Sequence, residues 1–372
     1  MAKDKLRVGL IFGGRSGEHE ISLLSARSVL AALDPEKYEV TQIGISHQGA
    51  WWVGENTLEM LEAGNTAALN CATMLPDPHH QGIYAIDQTQ GSEILNKLAD
   101  LDVLFPVLHG TFGEDGTIQG FFEMADLAYV GAGVVGSAVG MDKGIFKDVM
   151  RANGIPVLES IVLLRSELEN NLEAALSRAE GLAPYPLFVK PANLGSSVGV
   201  SKCRSRSDLL EGLMEAARYD RRLLVERGID GREIEVSVVG NDDPQASIPG
   251  EIIPAAEFYT YDAKYHDERS QLLIPAPISN QLIEQVQTLA VIAYKAVDCA
   301  GMARVDFLLE KGSNKLFLSE LNTIPGFTRI SMYPKLWDAS GISYPELVDR
   351  LIELALERKR ERDRTERRFQ RG

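Results

Sequence analysis

Alternation of apolar and polar residues predicts two neighbouring strands in the C-terminal third of the chain. Residues 302–309 and residues 316–322 both show this alternation, and successive side chains of a strand point to opposite faces. Between them, residues 311–314 read KGSN, which is a turn composition. The pattern therefore predicts a hairpin that folds about Ser313.

This hairpin would set polar side chains opposite one another. Arg304 and Asp306 share a face of the first strand, and Glu320 and Asn322 share a face of the second. Asp306 would face Glu320, although a bulge could shift the register by one residue. Two directly opposed carboxylates repel each other, so we expect a divalent cation between them. Oxygen ligands of this kind suit Mg²⁺; the alternative is a solvated face of mixed charges.

The first part of the chain predicts an α/β domain over residues 1–131. Residues 6–12 form a buried-type strand, residues 18–33 a helix and residues 38–46 a second strand, which together make a βαβ unit. The glycines after the first strand do not follow the GxGxxG spacing, and no acidic residue ends the second strand. A dinucleotide site is therefore disfavoured, although glycines at this position could serve another ligand.

Two further segments of this domain lack clear periodicity. Residues 55–91 contain Pro76 and Pro78 and are expected to be a loop-rich insertion. Residues 109–116 read HGTFGEDG and follow the strand-like residues 102–108. A polar, glycine-rich segment directly after a buried strand has the position of a ligand-binding loop.

Residues 132–228 are expected to form a small α+β domain. It follows a linker-like run of small residues at 131–140, after which Asp142 is expected to N-cap a helix. The predicted strand 187–190 leads into the glycine- and serine-rich segment 191–199. Backbone N–H groups of such a segment can approach phosphate oxygens closely.

Residues 229–372 are expected to form a third domain around the hairpin. Segment 255–277 is polar, aromatic and too long for a simple connection, which is typical of a lid or a disordered loop. A helix over residues 280–297 precedes the hairpin, and another begins near Tyr344. The stretch 357–371 is mostly charged and is expected to be a solvated or frayed helix end.

Composition and charge limit the classes of function. The formal net charge of -15 disfavours nucleic acid and anionic membranes as partners, and any phosphate-bearing ligand needs locally placed cations. The three cysteines are scattered without a CxxC pair, which indicates a reducing compartment without a disulfide framework or zinc site. No signal peptide and no apolar run of transmembrane length is visible. We therefore expect a cytoplasmic location.

Candidate cations for a phosphate group lie on separate predicted elements. The chain has no GxxxxGK pattern followed by Ser or Thr, so a P-loop is excluded. Lys190 stands directly before a glycine-rich segment, and Lys143, Lys264 and Arg304 belong to other elements. A single lysine is more often a solvated surface charge. Four such cations, beside a predicted Mg²⁺ site and two glycine-rich loops, favour a metal–nucleotide complex.

Six motifs occur in order along nearly the whole chain. They are Gly13-Gly14 with His19-Glu20-Ile21-Ser22, His109-Gly110 with Gly113-Glu114-Asp115-Gly116, Lys190-Pro191 with Gly195-Ser196-Ser197-Val198-Gly199, Lys264-Tyr265, Arg304-Val305-Asp306, and Glu320-Leu321-Asn322-Thr323-Ile324-Pro325-Gly326. Together they resemble the motifs of the D-alanine–D-alanine ligase family, which belongs to the ATP-grasp superfold.

The resemblance implies a three-domain ATP-grasp fold of α/β and α+β class. Its parts would be a Rossmann-like N-terminal domain over residues 1–131, which binds the first D-alanine, and a small central α+β domain over residues 132–228. The C-terminal domain, residues 229–372, would contain an antiparallel sheet, the lid loop 255–277 and the Mg²⁺ site.

The resemblance also implies the reaction ATP + 2 D-alanine → D-alanyl-D-alanine + ADP + phosphate, for peptidoglycan precursor synthesis. The carboxylate of the first D-alanine would take the γ-phosphoryl group and become an acyl phosphate, which the amine of the second D-alanine attacks. The implied cofactors are ATP and two Mg²⁺ ions, with Mn²⁺ possible in their place. The implied partners are the two small-molecule substrates and a second subunit, in a homodimer formed through the first domain.

The family's motifs imply roles for the residues at matching positions. The implied metal ligands are Asp306, Glu320 and Asn322. The implied ATP-binding residues are Lys143, Lys190, Ser196, Ser197, Glu226, Glu233 and Lys264. The implied substrate-binding residues are Glu20, His109, Arg304, Gly326 and Ser331. The implied catalytic residues are Glu20, Ser196, Tyr265, Arg304 and Gly326.

The resemblance also implies specific tasks for the five catalytic residues. Glu20 would pair with the ammonium group of the first D-alanine, and Ser196 and Tyr265 would connect two loops to it and close the site against water. Arg304 and the N–H of Gly326 would hold the oxyanion that develops during the attack.

Three alternatives stay open from the sequence. A sister ligase could join D-alanine to D-lactate or D-serine; depsipeptide-forming members typically carry histidine at the lid position of Tyr265, so tyrosine favours the dipeptide. Another ATP-grasp carboxylate–amine ligase would use other substrates. A non-catalytic nucleotide-binding regulator would be expected to lack Asp306, Glu320 or Arg304, and all three are present.

Overall fold

The computed structural model describes residues 5–89, 92–196, 198–253 and 271–366. Within them the chain forms three sheets in succession, of eight, four and six strands. Each sheet lies inside one of the three predicted domain ranges. The mixed α/β and α+β class expected from the sequence is confirmed.

The first sheet has a parallel part and an antiparallel extension. Its spatial order is β6-β5-β4-β3-β2-β1-β7-β8, in which β2, β1, β7 and β8 are parallel neighbours. The predicted βαβ unit is present, because helix α1 connects β1 to β2. The strands are β1 (Leu6–Gly13), β2 (Tyr38–Ile45), β3 (Trp51–Val53), β4 (Asn70–Thr73), β5 (Ile83–Thr89), β6 (Ser92–Ala99), β7 (Val103–Pro106) and β8 (Ala128–Tyr129). The helices are α1 (His19–Ala32), α2 (Thr57–Glu62) and α3 (Thr117–Met124).

The expectation that residues 55–91 form a loop-rich insertion holds only in part, because the segment also carries strands of the first sheet. These residues contain α2, β4 and β5, and these strands extend the first sheet through antiparallel pairs from β2 to β6. Strand β4 has only four residues, and β5 buries Ile83, Tyr84 and Ala85 in succession. The sequence therefore shows no regular alternation of apolar and polar residues there.

The central domain contains an antiparallel sheet of spatial order β11-β10-β12-β9. The predicted N-cap is confirmed, because the Asp142 carboxylate accepts hydrogen bonds from the N–H groups of Gly144 and Ile145, both at 3.0 Å. The strands are β9 (Ser160–Leu164), β10 (Leu187–Pro191), β11 (Ser201–Cys203) and β12 (Arg222–Arg227). The helices are α4 (Val134–Met141), α5 (Lys143–Ala152), α6 (Arg165–Glu180) and α7 (Arg206–Tyr219).

Residues 131–140 are not the linker that their composition indicated, because most of them belong to α4. Small residues here reflect close packing. A Cβ atom at Gly136 would lie 3.0 Å from the carbonyl oxygen of Asp298, and one at Gly140 would lie 3.3 Å from that of Leu321. Helix α4 therefore docks tightly against the third domain.

The third domain contains an antiparallel sheet of spatial order β16-β15-β13-β17-β18, with β14 beside β13. The predicted hairpin is confirmed: Asp306 lies opposite Glu320, with a register shift directly after Asp306. The strands are β13 (Gly231–Gly240), β14 (Gln245–Ala246), β15 (Gly250–Ile253), β16 (Gln271–Leu273), β17 (Gly301–Glu310) and β18 (Leu316–Asn322). The helices are α8 (Asn280–Ala296), α9 (Met332–Ala339) and α10 (Tyr344–Asp363).

A continuous apolar core joins the first and third domains. Leu347 and Leu351 of α10 pack in one cluster with Val8 and Phe105 of the first sheet. Near the end of α10, the Arg358 guanidinium stacks on the ring of Tyr129 at 4.2 Å and donates to its carbonyl oxygen at 3.1 Å.

The sequence indicated that the charged stretch 357–371 is a solvated or frayed helix end, but its described part contacts the first domain through Arg358. Residues 367–371 lie outside the described residues. Among the described helices, none is long and apolar enough to cross a membrane.

Candidate active site

A cleft of about 1270 Å³ opens between the second and third sheets and is closed at one end by loops of the first domain. Most of the predicted site residues line it. From the first and second domains these are His109, Lys143, Lys190, Ser196 and Glu226. From the third domain they are Glu233, Arg304, Asp306, Glu320, Asn322 and Gly326.

The hairpin β17–β18 brings its polar residues into contact on the floor of the cleft. The Arg304 guanidinium donates from Nε and Nη2 to the two carboxylate oxygens of Asp306, at 2.8 and 2.7 Å. Its Nε also lies 3.1 Å from Oε2 of Glu235 on the neighbouring strand β13. Burial alone would lower the pKa of Arg304, but the carboxylates of Asp306 and Glu235 raise it well above the usual range. This guanidinium therefore stays charged.

The donor set at this position fits a Mg²⁺ ion that shares its coordination with phosphate oxygens. Asp306 and Glu320 are cross-strand partners that both line the cleft, and Asn322 donates from Nδ2 to Asp306 Oδ2 at 2.9 Å. No three His, Cys, Asp or Glu side chains form a metal-binding group among the described residues. Two carboxylates and an amide leave positions for phosphate oxygens, as is usual for Mg²⁺ sites.

Glu226 forms a buried ionic cluster on the wall of the cleft. Its carboxylate lies 2.7 Å from Lys190 Nζ and also contacts Nζ of the buried Lys147. Burial would raise the pKa of Glu226, but the two ammonium groups lower it to about 2. Glu226, expected as an adenosine ligand, thus also holds two lysines together, and sequence reasoning had not selected Lys147.

Lys143 lies on the same side of the cleft as Lys190. It projects from the first turn of α5, and its Nζ donates to the carbonyl oxygen of Leu194 at 2.7 Å. This bond ties α5 to the glycine- and serine-rich segment after β10. The N–H of Lys143 also donates to the carbonyl oxygen of Ala192 at 2.9 Å, so the segment is held at two points.

The structure corrects the prediction for Glu20. Its side chain is 63% exposed, lies 3.2 Å from His47 Nε2 and does not line the cleft. Glu18, the residue before α1, is buried instead and accepts a hydrogen bond from the Ser196 hydroxyl. Side chains two positions apart at a helix start point about 200° apart, so only one of these two carboxylates can face the cleft.

Two glycines allow Glu18 to occupy its position. A Cβ atom at Gly110 would lie 2.6 Å from Oε2 of Glu18, and one at Gly195 would lie 3.1 Å from it. Gly110 has φ +75°, a conformation that L side chains rarely adopt. The carboxylate is therefore enclosed between the first-domain loop and the segment that carries Ser196.

His109 and Glu114 hold the backbone of Ile324 through its C=O and N–H groups. His109 Nδ1 lies 2.9 Å from the Ile324 carbonyl oxygen, and Glu114 Oε1 accepts from the Ile324 N–H at 3.0 Å. Burial and the neighbouring Glu18 raise the pKa of Glu114 to about 8, whereas burial lowers the pKa of His109. Sequence reasoning placed Glu114 in a motif but gave it no role.

The turn after β18 places Gly326 in the cleft and Ser331 outside its lining. The Ser331 hydroxyl lies 2.8 Å from that of Thr328 and accepts from the Thr328 N–H at 3.2 Å. A Cβ atom at Gly326 would come within 3.0 Å of Ser331 Oγ, so Ser331 lies next to the cleft without facing it.

Three predicted site residues lie outside the described residues: Ser197, Lys264 and Tyr265. The same holds for most of the predicted lid, since the described chain resumes at residue 271.

Family models match both parts of the chain. Residues 7–132 match a model described as the D-ala D-ala ligase N-terminus, and residues 149–353 match one described as the D-ala D-ala ligase C-terminus.

Curated relatives are similar over nearly their full length. A D-alanine–D-alanine ligase of Heliobacterium modesticaldum is 50% identical over 360 residues, and one of Natranaerobius thermophilus is 49% identical over 361 residues. Each alignment covers 97% of this chain and 97% of the relative.

Solved structures share the fold. The D-alanine-D-alanine ligase from Coxiella burnetii has a TM-score of 0.80 at 37% identity, covering 97% of each chain. The VanG D-Ala:D-Ser ligase from Enterococcus faecalis has a TM-score of 0.83 at 33% identity, covering 95% of this chain and all of that one.

Proposed function

The chain belongs to the D-alanine–D-alanine ligase family, and from this premise we propose that it joins two D-alanine molecules to D-alanyl-D-alanine with conversion of ATP to ADP and phosphate, for peptidoglycan precursor synthesis. Its match to ligases over 97% of both chains carries this assignment. The cleft supports it independently, because cations and opposed carboxylates converge there.

The first step is phosphoryl transfer to a poor nucleophile. A carboxylate oxygen of the first D-alanine attacks the γ-phosphorus, the bond to the bridging oxygen of ADP breaks, and an acyl phosphate forms. The negative charges of carboxylate and ATP repel each other, so cations must gather on the phosphates. Lys143 and Lys190, which line the cleft, fit this task, and Ser196, Ser197 and Lys264 are proposed to act with them.

The second step is attack of the amine of the second D-alanine on the acyl carbonyl, which expels phosphate. Arg304 is proposed to hold the developing oxyanion together with the N–H of Gly326. Its permanent charge and its place on the cleft floor support this role. Ser331 is proposed to hold the second carboxylate, which requires its hydroxyl to turn away from Thr328.

Asp306, Glu320 and Asn322 are the proposed ligands of two Mg²⁺ ions, which Mn²⁺ could replace. When bound, the ions would neutralise phosphate charge and orient the transferred group. Glu320 would supply carboxylate oxygens as ligands. Arg304 and Asn322 engage the Asp306 carboxylate, and these donors keep it oriented toward the cleft.

Adenosine recognition is proposed for the far end of the cleft. Glu226 and Glu233 lie on β12 and β13, on either side of the connection between the second and third domains. Their carboxylates can accept hydrogen bonds from the amino group and the ribose hydroxyls. The domain ranges 1–131, 132–228 and 229–372 are the proposed functional units around this cleft.

Glu18 is proposed to pair with the ammonium group of the first D-alanine, with His109 nearby. Its buried carboxylate and its bond to Ser196 support this role. Ser196 would then couple the phosphate-binding segment to substrate binding, and Tyr265 is proposed to close the same site. Exclusion of water protects the acyl phosphate from hydrolysis.

The protein is proposed to be a cytoplasmic homodimer that acts on small molecules and has neither nucleic acid nor a membrane as a partner. The net charge of -15 supports the absence of anionic polymers and anionic membranes as partners.

A second candidate is a D-alanine–D-serine ligase, since one structural relative has that specificity. Phosphate release from Mg·ATP tests both. We expect D-alanine alone to stimulate release far above background, with L-alanine inactive as the matched control. Stimulation only when D-serine is added to D-alanine would favour the second candidate, and no stimulation by any D-amino acid would contradict the ligase assignment.

A further inference from the structure

The turn after β18, residues 324–327, has one backbone N–H group that no described residue binds. The Ile324 N–H donates to a carboxylate of the first domain at 3.0 Å, and the Phe327 N–H donates to a serine hydroxyl of α1 at 3.3 Å. Pro325 has no N–H group. The N–H of Gly326, which lines the cleft, is therefore the donor that this turn leaves for a ligand.

The serine that holds this turn is Ser25. Its hydroxyl is fully buried, accepts the Phe327 N–H at 3.3 Å and lies 2.9 Å from Nε2 of His109. His109 Nδ1 lies 2.9 Å from the carbonyl oxygen of Ile324, which can only accept a hydrogen bond. Because burial lowers the pKa of His109, its neutral ring carries the proton on Nδ1, and the Ser25 hydroxyl donates to Nε2.

These contacts close a ring of hydrogen bonds around Gly326. The ring runs from the Ile324 carbonyl oxygen through the imidazole of His109 to the Ser25 hydroxyl, and from there to the next N–H of the turn. All of its residues are buried, and a buried polar network whose members are satisfied makes the backbone it holds rigid. The direction of the Gly326 N–H is therefore set by two side chains of the first domain.

Helix α1 carries Ser25 as well as the carboxylate proposed to hold the first D-alanine. Ser25 follows Glu18 by seven positions, which is close to two helical turns, so both residues lie on the same side of the helix. The helix thus fixes the distance between the proposed ammonium partner and the proposed oxyanion donor.

This donor matters most for the second step of the proposed reaction. In the first step, the substrate carboxylate loses negative charge as the acyl phosphate forms. In the second step, the amine nitrogen bonds to the carbonyl carbon and an electron pair moves onto the carbonyl oxygen. The pair returns when the bond to the phosphate oxygen breaks, and the departing phosphate takes up the amine proton. A donor stabilises such a charge only when it is aimed at it beforehand.

We propose that Ser25 is a positioning residue for acyl transfer: its hydroxyl, oriented by His109, fixes the turn so that the Gly326 N–H meets the oxyanion. The inference rests on the proposed ligase function and deepens it, because Ser25 lies outside the lining of the cleft and would control only one of the two steps.

Ser25→Ala tests this role through the balance of the two steps. With D-alanine present, ATP that carries heavy oxygen between its β and γ phosphorus atoms moves this label to a non-bridging position whenever the acyl phosphate forms and reverts. Dipeptide formation reports the second step. We expect the ratio of label exchange to dipeptide formation to rise by about tenfold or more, because a misplaced oxyanion donor slows the second step alone.

Ser22→Ala is the matched control. Ser22 is also fully buried on α1, and its hydroxyl also has two partners: it donates to the Val107 carbonyl oxygen at 2.6 Å and accepts from the Gly13 N–H at 2.7 Å. We expect urea unfolding to show a similar loss of stability in both alanine variants. The ratio should stay at the wild-type value in Ser22→Ala, because neither partner belongs to the turn.

A second variant keeps the test decisive if Ser25→Ala does not fold. Ser25→Cys fills the same space with a weaker donor and acceptor, so the ratio should rise in the same direction by a smaller factor. An unchanged ratio in folded Ser25→Cys would contradict the positioning role.

The outcomes separate this inference from the function on which it rests. Equal losses of label exchange and dipeptide formation in Ser25→Ala, or an equal rise of the ratio in Ser22→Ala, would show that Ser25 only supports the fold. Either result would overturn the inference and leave the ligase assignment intact. A wild-type protein that gives neither exchange nor dipeptide with D-alanine would overturn the ligase assignment itself.

Discussion

The Ser196 hydroxyl donates a hydrogen bond to the Glu18 carboxylate across 178 positions of the chain. One partner belongs to the first domain and the other to the segment after β10 in the central domain. The contact therefore connects the proposed binding site of the first D-alanine to the proposed phosphate-binding segment.

Glu18→Gln should lower kcat/KM for D-alanine by roughly 10- to 100-fold, because a hydrogen bond to a charged group contributes about 1.5–3 kcal/mol. Phosphate release at varied D-alanine concentration measures the loss. Glu20→Gln is the matched control: the same change two positions later, on an exposed side chain, should stay within about twofold of wild type. Equal losses in both variants would contradict the role of Glu18.

Asp306→Asn should raise the Mg²⁺ concentration needed for half-maximal activity by about tenfold or more, since it removes one of two opposed carboxylates. Titration of Mg²⁺ at fixed ATP measures the shift, and chelation of the metal should abolish phosphate release. Glu310→Gln at the far end of the same strand is the control. An unchanged Mg²⁺ requirement in Asp306→Asn would place the metal elsewhere.

The hairpin around Asp306 and Glu320 could be predicted from sequence because its determinants are local. Strand alternation selects the face that carries the two carboxylates, and their predicted opposition is confirmed. The register next to the turn, with Phe307 opposite Leu318, would by itself set Asp306 opposite Ser319. The register shift between Asp306 and Phe307 brings Asp306 opposite Glu320, so the bulge that the sequence left open is what forms the pair.

The sequence did not identify Glu18 and Lys147 as site residues, because their positions depend on the start of a helix and on contacts between distant elements. Which of two carboxylates, Glu18 or Glu20, faces the cleft depends on where α1 begins, and sequence leaves helix ends uncertain by one or two residues. Lys147 is buried only because Glu226 and Lys190 meet it across the central domain. A lysine on an amphipathic helix gives no sign of such partners.

Lys147→Met should lower the free energy of unfolding by about 2 kcal/mol, because it removes one of the two ammonium groups that contact the buried Glu226 carboxylate, while Lys190 stays as its partner. Urea unfolding followed by circular dichroism measures the change. The double variant Lys147→Met/Glu226→Gln should be less stable than the single variant, because Lys190 then loses its carboxylate partner. Its KM for ATP should also be raised if Glu226 binds adenosine.

Lys315→Met, at an exposed position, controls for the loss of a positive charge alone and should leave the unfolding free energy within about 0.5 kcal/mol. A Lys147→Met protein as stable as this control would show that the ionic cluster does not stabilise the fold. A double variant as stable as Lys147→Met would show that the ion pair of Lys190 with Glu226 adds nothing to the stability of the fold.

Glu114 should make the stability of the protein depend on pH between about 4.5 and 8. Its pKa in the folded protein is about 8, raised by burial and by Glu18 from an ordinary value of 4.5. The folded chain therefore binds a proton that the unfolded chain releases in this range. The contribution of this group to stability is fully present below about pH 4.5 and is lost as pH rises through 8.

Glu114→Gln should therefore have a melting temperature that falls less steeply than that of wild type from pH 5 to pH 9. Differential scanning calorimetry of both proteins across this range measures the difference. Burial also lowers the pKa of His109, but that residue is present in both proteins, so its effect largely cancels in the comparison. Parallel melting curves would show that the Glu114 carboxyl is ionised throughout, and hence that its two N–H donors, from Gly110 and Ile324, compensate its burial.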